Sequence, residues 1–452
     1  MLDFGKDFVW GVATAAYQIE GGRNEDGKTD SIWDVFTHKK GIVVDGSTGD
    51  IACDSYHRLE EDLDLLKALR VKAYRFSVSW SRVLPDGVGQ VNEKGVAYYN
   101  RLIDGLLSRG ITPYLTLYHW DLPQVLQEMG GFSNKEFPKW FAYYAKTVAE
   151  NFGDRVKHYF TFNEPPVIFD NAFAPGVWYT LKEQLARVHH MLLAHGLAVK
   201  ELRKIPQAKI GFALCGLVPV PAEETQENYD LAKKWFFSMN KGYPYSAVTL
   251  YADPIFFGKY PDEYYEYYKD VMPEIGENDM EIISQPLDFL GQNTYQGEYF
   301  KVETDEHGEK SLVQLPRKKG ESVTAFGWYK TPKSLYYVSK YLYERYKMPL
   351  FIAENGIACL DFIYSDGKVH DMDREEYLRT HLVELARAKV DGVDIEGYFY
   401  WSFLDNFEWM QGYTKRFGLV YVDFETCERT PKESFAFYRK VIESDGEILF
   451  KK

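Results

Sequence analysis

The sequence predicts an α/β protein, a (β/α)8 TIM barrel read as a single domain over residues 1–452 with loop insertions. Three observations carry this. The chain has 452 residues, the length of one large barrel with insertions or of two to three average domains. Eight short β-rich runs alternate with longer helical patterns, as a parallel sheet with helical crossovers requires. No glycine-rich phosphate loop follows any of these runs, which weighs against the alternative of a doubly wound open sheet.

The β-like runs, in order, are "DFVWGVATA" (7–15), "AYRFSVSW" (73–80), "TPYLTLYHW" (112–120), "HYFTFNE" (158–164), "KIGFALC" (209–215), "DFLGQNTY" (288–295), "PLFIAENG" (349–356) and "GYFYWSFLD" (397–405). Between them, residues 56–71 place Leu59, Leu63, Leu66 and Leu69 at helical spacing. Acids come early in that stretch, and Lys67 and Arg70 come late, matching the helix dipole. Residues 183–203 and 373–390 read likewise. Asp373 is expected to cap the latter helix, with Glu376 completing a capping box and Gly392 ending it. Segments 215–288 and 296–348 exceed a simple strand–helix connection and are read as insertions carrying extra helices and a hairpin.

The net charge of −14 argues against a general nucleic-acid or anionic-membrane surface. Aromatic residues reach 17%, more than a core needs, and flat apolar faces with polar edges suit sugars. Cys53, Cys215, Cys359 and Cys427 are scattered, with no CxxC pair and no zinc-like spacing, so free thiols in a reducing cytoplasm are expected. "FVWGVATAAY" is a poor export signal, because Asp3 and Asp7 stand where positive charge belongs. No apolar run reaches the roughly 18 residues of a membrane span. Nothing in the sequence fixes an oligomeric state.

In such a barrel the active site forms where strands end at their C-terminal face. The strand ends here supply Gln18 and Glu20, Arg75 and Trp80, His119, Trp120 and Asp121, Asn163 and Glu164, Asn293 and Tyr295, Glu354 and Asn355, then Trp401 and "DNFEW" (405–409). Any one of these is ordinary: a strand-end histidine or tryptophan is usually packing, and a glutamate is usually on the surface. Together, so many polar groups in one crater would be costly to desolvate without a shared ligand. Two carboxyls with amides and tryptophans fit glycoside hydrolysis. One carboxyl donates a proton to the leaving oxygen, and the other attacks the anomeric carbon or activates water.

The chain resembles glycoside hydrolase family 1, the retaining β-glucosidases and β-galactosidases. The resemblance runs nearly end to end, through "DFVWGVATAAYQIEG", "YRFSVSWSRVLP", "YHWDLPQ", "FNEP", "GQNTY", "IAENG", "WSFLDNFEW" and "KRFGLVYVD". It implies a (β/α)8 barrel and a covalent glycosyl-enzyme mechanism without metal or cofactor, acting on small β-glycosides or oligosaccharides. It also implies that Glu164 is the acid/base and Glu354 the nucleophile. Arg75 would lie beneath Glu354, Tyr295 would hydrogen-bond it, and Asn293 would sit close by. Gln18, His119, Trp120, Asn163, Glu408 and Trp409 would contact the sugar, with Trp401 under its ring. Trp328 and Phe417 would line the substrate site, Trp328 on the leaving-group side. Glu164 is expected to stay protonated because a like charge stands nearby.

Family members acting on 6-phosphorylated sugars usually carry serine at the position of Glu408, so the carboxylate favours unphosphorylated glycosides. Retention of Glu164 separates the chain from myrosinase-like variants, which carry glutamine there. The rivals are a 6-phospho-β-glycosidase, a sugar-binding protein without activity, and a nicotinamide-dependent barrel oxidoreductase. Four positions depart from the family pattern. Pro166 replaces a tryptophan after "NEP". Segment 165–182 is short, with "FAPG" at 173–176. Cys215 replaces an asparagine, and Ala353 replaces a threonine. The first three are expected to alter aglycone preference, not the chemistry.

Overall fold

The computed structural model describes residues 4–170 and 178–451. The "FAPG" departure at 173–176 therefore lies outside the described residues. All eight expected strands are present, and they close into one parallel barrel. They are β1 (Val9–Ala13), β2 (Ala73–Ser77), β3 (Thr112–Tyr118), β4 (His158–Asn163), β5 (Lys209–Cys215), β6 (Phe289–Asn293), β7 (Leu350–Asn355) and β8 (Ile395–Trp401). β1 pairs with both β2 and β8, which closes the ring. The "FVWGVATAAY" stretch thus supplies a buried barrel strand.

The crossover helices include α1 (Leu59–Leu69), α2 (Glu93–Ser108), α3 (Phe137–Phe152), α4 (Leu181–Leu202), α5 (Val248–Phe257), α6 (Lys333–Tyr346), α7 (Met372–Val390) and α8 (Glu433–Glu443). The four leucines of α1 are buried, as their spacing predicts. The cap expected at Asp373 is not formed. α7 starts at Met372, and Asp371 stands at its N-cap without a side-chain capping bond. The reason is competition: the Asp371 carboxylate is taken by Arg374 and Ser434. Capping boxes form instead at Ser31 with Asp34, and at Thr180 with Glu183 opening α4. Gly392 does follow the end of α7, with φ 90°.

The barrel interior alternates small and large side chains. Ala13, Ala73 and Ala213 face the rings of Tyr114, Phe160, Phe289, Phe351 and Phe399 in one buried cluster. Glycine is needed where a ring presses on the backbone: a Cβ on Gly211 would stand 2.0 Å from the Phe289 ring. The insertions carry extra helices, as expected, and strands Val218–Pro221, Gly297–Thr304 and Lys310–Gln314 form a separate sheet. The last two are the expected hairpin. All four cysteines are free thiols. Among the described residues, no helix is long and apolar enough to cross a membrane.

Candidate active site

Regular pairing breaks where the two glutamates emerge. The β6–β7 register shifts between Ile352 and Glu354, and the β4–β5 register shifts between Phe160 and Asn163. Irregularities of this kind re-aim side chains at the rim of a barrel. In each case the strand fixes where the glutamate emerges at the rim.

Glu354, at the end of β7, is 3% exposed. Arg75 Nη1 lies 2.6 Å from its Oε1, and Tyr295 Oη donates to its Oε2 at 2.6 Å. Arg75 is itself held on every side. It donates to Thr116 Oγ1 at 3.1 Å, to the Ala353 carbonyl at 3.0 Å and to Asn163 Oδ1 at 2.6 Å. Its guanidinium lies 4.7 Å from the Phe160 ring centroid. Burial leaves the Glu354 carboxyl raised, and Arg75, Tyr295 and Asn293 pull it only part of the way back.

Glu164 follows β4 in a left-handed conformation, φ 51° and ψ 63°. Such backbone costs a non-glycine residue about 1–3 kcal/mol and collects at working sites. Its N–H is fixed by the Ala213 carbonyl at 3.0 Å, and Pro165 and Pro166 then open a short helix, where proline is tolerated. Asn293 Nδ2 donates to Glu164 Oε1 at 2.9 Å and to Asn163 Oδ1 at 3.0 Å. The two glutamates are therefore joined through Arg75, Asn163 and Asn293 by hydrogen bonds. Burial first, and the Glu354 charge second, raise the Glu164 carboxyl to about 8. The like charge expected from sequence is present, but desolvation is the larger cause.

The amide of Asn163 settles a proton at His119. Asn163 Oδ1 accepts from both Arg75 and Asn293, so its Nδ2 must donate, and it meets His119 Nε2 at 3.2 Å. Burial and Arg75 hold His119 well below the ordinary imidazole range, so the ring is neutral. Nε2 accepts, and the single proton lies on Nδ1. That nitrogen is buried without a partner among the described residues, and so are Gln18 Oε1 and Asn293 Oδ1. A buried polar atom without a partner is costly, and here three sidechains from different strand ends share the condition.

Around them stand indoles. The His119 ring is near-parallel to Trp401 at 5.7 Å and to Trp409 at 6.2 Å, and Trp120 lies 4.7 Å from Trp409. Trp120 Nε1 donates to the Asn163 carbonyl at 3.0 Å. Gln18 Nε2 ties down the loop after β8, donating to Asn406 Oδ1 at 3.1 Å, the Phe407 carbonyl at 2.9 Å and Glu408 Oε2 at 3.4 Å. Burial, then the charge on Glu354, raises the Glu408 carboxyl to about 8. Tyr295 joins this set to a second wall: its ring lies 5.4 Å from Trp328 and 5.8 Å from Phe417, and Trp328 stacks on Phe326 at 4.1 Å.

The whole chain from residue 2 to 447 matches the model of Glycosyl hydrolase family 1. The chain belongs to this family. A 1,4-beta-D-glucan glucohydrolase of Thermotoga neapolitana is 44% identical over 99% of both chains. Beta-glucosidase A of Thermotoga maritima is 43% identical over 98% of both. Among solved structures, the beta-glucosidase from Thermotoga maritima in complex with glucoimidazole superposes with a TM-score of 0.89 at 42% identity, covering 99% of this chain and 100% of its own.

Two strand-end residues are taken up by structural partners, and a third lies outside the pocket. Glu20 pairs with Arg82 at 2.9 Å and accepts from Tyr99 at 2.6 Å. Asn355 bonds the Thr294 carbonyl, Tyr377 and Tyr398. Asp121 lines a separate small cavity with Glu20, Arg23 and Asp34. Thr116, which orients Arg75, has no signal in the sequence beyond its place two residues inside the end of β3, while Asn406, which holds Gln18, lies within the "DNFEW" run after β8. Cys215 was expected at the leaving-group side. Burial, then the charges of Glu164 and Glu354, push its thiol well above its ordinary range, so it lies within electrostatic reach of both carboxyls.

Proposed function

We propose that this family 1 glycoside hydrolase is an exo-acting, retaining β-glucosidase, with β-galactosidase and β-fucosidase activity as well. It removes the nonreducing terminal β-D-glycosyl residue of unphosphorylated small glycosides. The observation that carries this is the asymmetry of the two carboxyls: Glu354 has a guanidinium at 2.6 Å, while the side-chain donor to Glu164 among the described residues is the amide of Asn293 at 2.9 Å. Glu354 is therefore the group that ionises, and Glu164 the group that keeps its proton.

The reaction follows from that split. Glu354 attacks the anomeric carbon as the glycosidic C–O bond breaks, and Glu164 passes its proton to the departing oxygen. The sugar is then an ester of Glu354, whose negative charge is gone. Glu164, released from that like charge, becomes more acidic. It takes a proton from water as the water oxygen bonds the anomeric carbon and Glu354 leaves. Gln18, His119, Asn163, Glu408 and Trp409 hold the sugar hydroxyls, and Trp120 and Trp401 frame its ring. Asn293 holds Glu164 in place, and Tyr295 and Arg75 serve Glu354. Trp328 and Phe417 form the wall toward the leaving group. The unpartnered Nδ1 of His119, Oε1 of Gln18 and Oδ1 of Asn293, among the described residues, support this assignment of the sugar site.

The whole chain is read as one catalytic domain, since the barrel draws strands from residue 9 to residue 401. Four free cysteines favour work in the cytoplasm. The test is hydrolysis of an aryl β-glucoside followed by NMR. We expect β-glucose to appear first. Initial release of the α-anomer, or turnover only of 6-phosphorylated glucosides, would overturn the reading.

A further inference from the structure

Lys432 opens α8, far from the pocket in sequence, yet its side chain is fully buried. Its Nζ lies 2.6 Å from Asp361 Oδ2 and 2.7 Å from Asp405 Oδ1. Those two carboxylates belong to different loops. Asp361 is on the loop after β7, the strand that ends in Glu354. Asp405 lies on the loop after β8, just before Asn406, Glu408 and Trp409.

The surroundings are a closed, neutral cluster. Asp405 also accepts from Arg416 at 2.7 Å and from the Gly418 N–H at 2.9 Å. Asp361 also meets Arg374 at 2.6 Å, and Arg374 bonds Asp371 and, at 2.9 Å, the Arg416 carbonyl. Burial alone would raise Asp361, but Arg374 and Lys432 overcome it and hold the carboxyl down at about 2. Buried charges in this arrangement fix geometry, because moving any one leaves its partner unpaired in a dry interior. The β8 loop is therefore held at two points: by Lys432 and Arg416 at Asp405, and by Gln18 at the Phe407 carbonyl.

We propose that Lys432 is a positioning residue for the sugar site, setting where Glu408 and Trp409 stand relative to Glu354 by tying the β7 loop to the β8 loop. It touches no substrate. The proposal rests on the reading of Glu408 and Trp409 as sugar contacts, and it assigns the control of their placement to an ion pair outside the pocket. Lys432 binds Asp361 and Asp405 with one Nζ; an arginine in its place keeps the charge but changes the reach.

A double-mutant cycle tests it. Lys432→Met and Glu408→Gln are made singly and together, and kcat/KM is measured on an aryl β-glucoside. Each single change is expected to lower kcat/KM by about 3- to 100-fold, the span of couplings within one network. The double variant should lose less than the product of the two single losses, and the alkaline limb of the Lys432→Met profile should match that of the wild type. Lys432→Arg should recover part of the loss. Losses that multiply in the double variant, or a moved alkaline limb, would overturn the proposal. If Lys432→Met does not fold, Asp405→Asn takes its place under the same criteria. A wild-type enzyme without activity on plain glucosides would sink the functional reading instead, so the two failures are distinguishable.

Discussion

The guanidinium of Arg75 stands 2.6 Å from the carboxylate of Glu354, with both side chains buried. Among the described residues, no salt bridge reaches Glu164. One cation thus sorts two carboxyls in one pocket, and most of the expected behaviour follows from it.

The activity should be bell-shaped in pH. Burial and the Glu354 charge raise Glu164 to about 8, so the alkaline limb of kcat/KM should fall near there. The acid limb reports ionisation of Glu354. The two limbs belong to the pair, because the groups interact. In Glu164→Gln, assayed with an activated aryl leaving group, the alkaline limb should vanish; its survival would assign the proton elsewhere.

Removing the attacking group should be severe. Glu354→Ala is expected to lose roughly 10⁴-fold or more in kcat, as loss of a nucleophile does in other covalent hydrolases. Sodium azide should fill the space and give the α-glycosyl azide. A β-configured azide from this variant would show that Glu354 is not the nucleophile.

Losing the proton donor should depend on what leaves. Glu164→Ala should cost about 10²–10⁴-fold on a cellobiose-like disaccharide, whose leaving oxygen needs a proton. The cost should shrink on a dinitrophenyl glucoside. Equal losses on both, measured in parallel, would remove Glu164 from the acid role.

The same residue should make stability depend on pH. The Glu164 carboxyl is raised from 4.5 to about 8 in the folded protein, so between those values the folded state holds a proton that the unfolded state has released. That contribution is complete below the unfolded value and is lost as pH rises through the folded one. Glu164→Gln should therefore match the wild type near pH 4.5 and exceed its Tm increasingly up to about pH 8. Thermal melts across that window measure it, and a constant gap would contradict it.

Inside the barrel, Gly211→Ala should destabilise. Its Cβ would meet the Phe289 ring at 2.0 Å, so the ring must shift against Phe160 and Phe351. Overpacking of this kind costs about 1–3 kcal/mol. Urea melts should show a lower midpoint with an unchanged slope.

Much of this was legible in the sequence because barrel strands are short, aromatic or β-branched, and bounded by polar residues. "PLFIAENG" announces both the buried strand and the place where it ends. Glu354, Arg75 and Tyr295 could be named together from the motif pattern, and they do converge. Glu20 and Asn355 stand at strand ends with the same look, yet their partners are Arg82 and Tyr377, which only packing reveals. The dominant weight of burial on Glu164 was equally hidden, since a sequence gives neighbours in the chain and not depth. Asp371, not Asp373, stands at the N-cap of α7, and its carboxylate goes to Arg374 and Ser434 instead of capping, a long-range choice that local capping signals do not contain.

The small outer sheet has a consequence for how the protein behaves when crowded. The barrel is a ring and exposes no strand edge, so the margins of the described sheets lie in the short pair Val420–Val422 with Arg429–Pro431 and in this three-stranded sheet. One margin, Val218–Pro221, has prolines at 219 and 221, and the other, Lys310–Gln314, begins with an exposed lysine. Imino acids cannot donate to an incoming strand, and a lysine resists burial against one. The fold is thereby guarded at both margins against templated stacking of one molecule on the next, and concentrated solutions should stay free of fibrils as long as the ring holds.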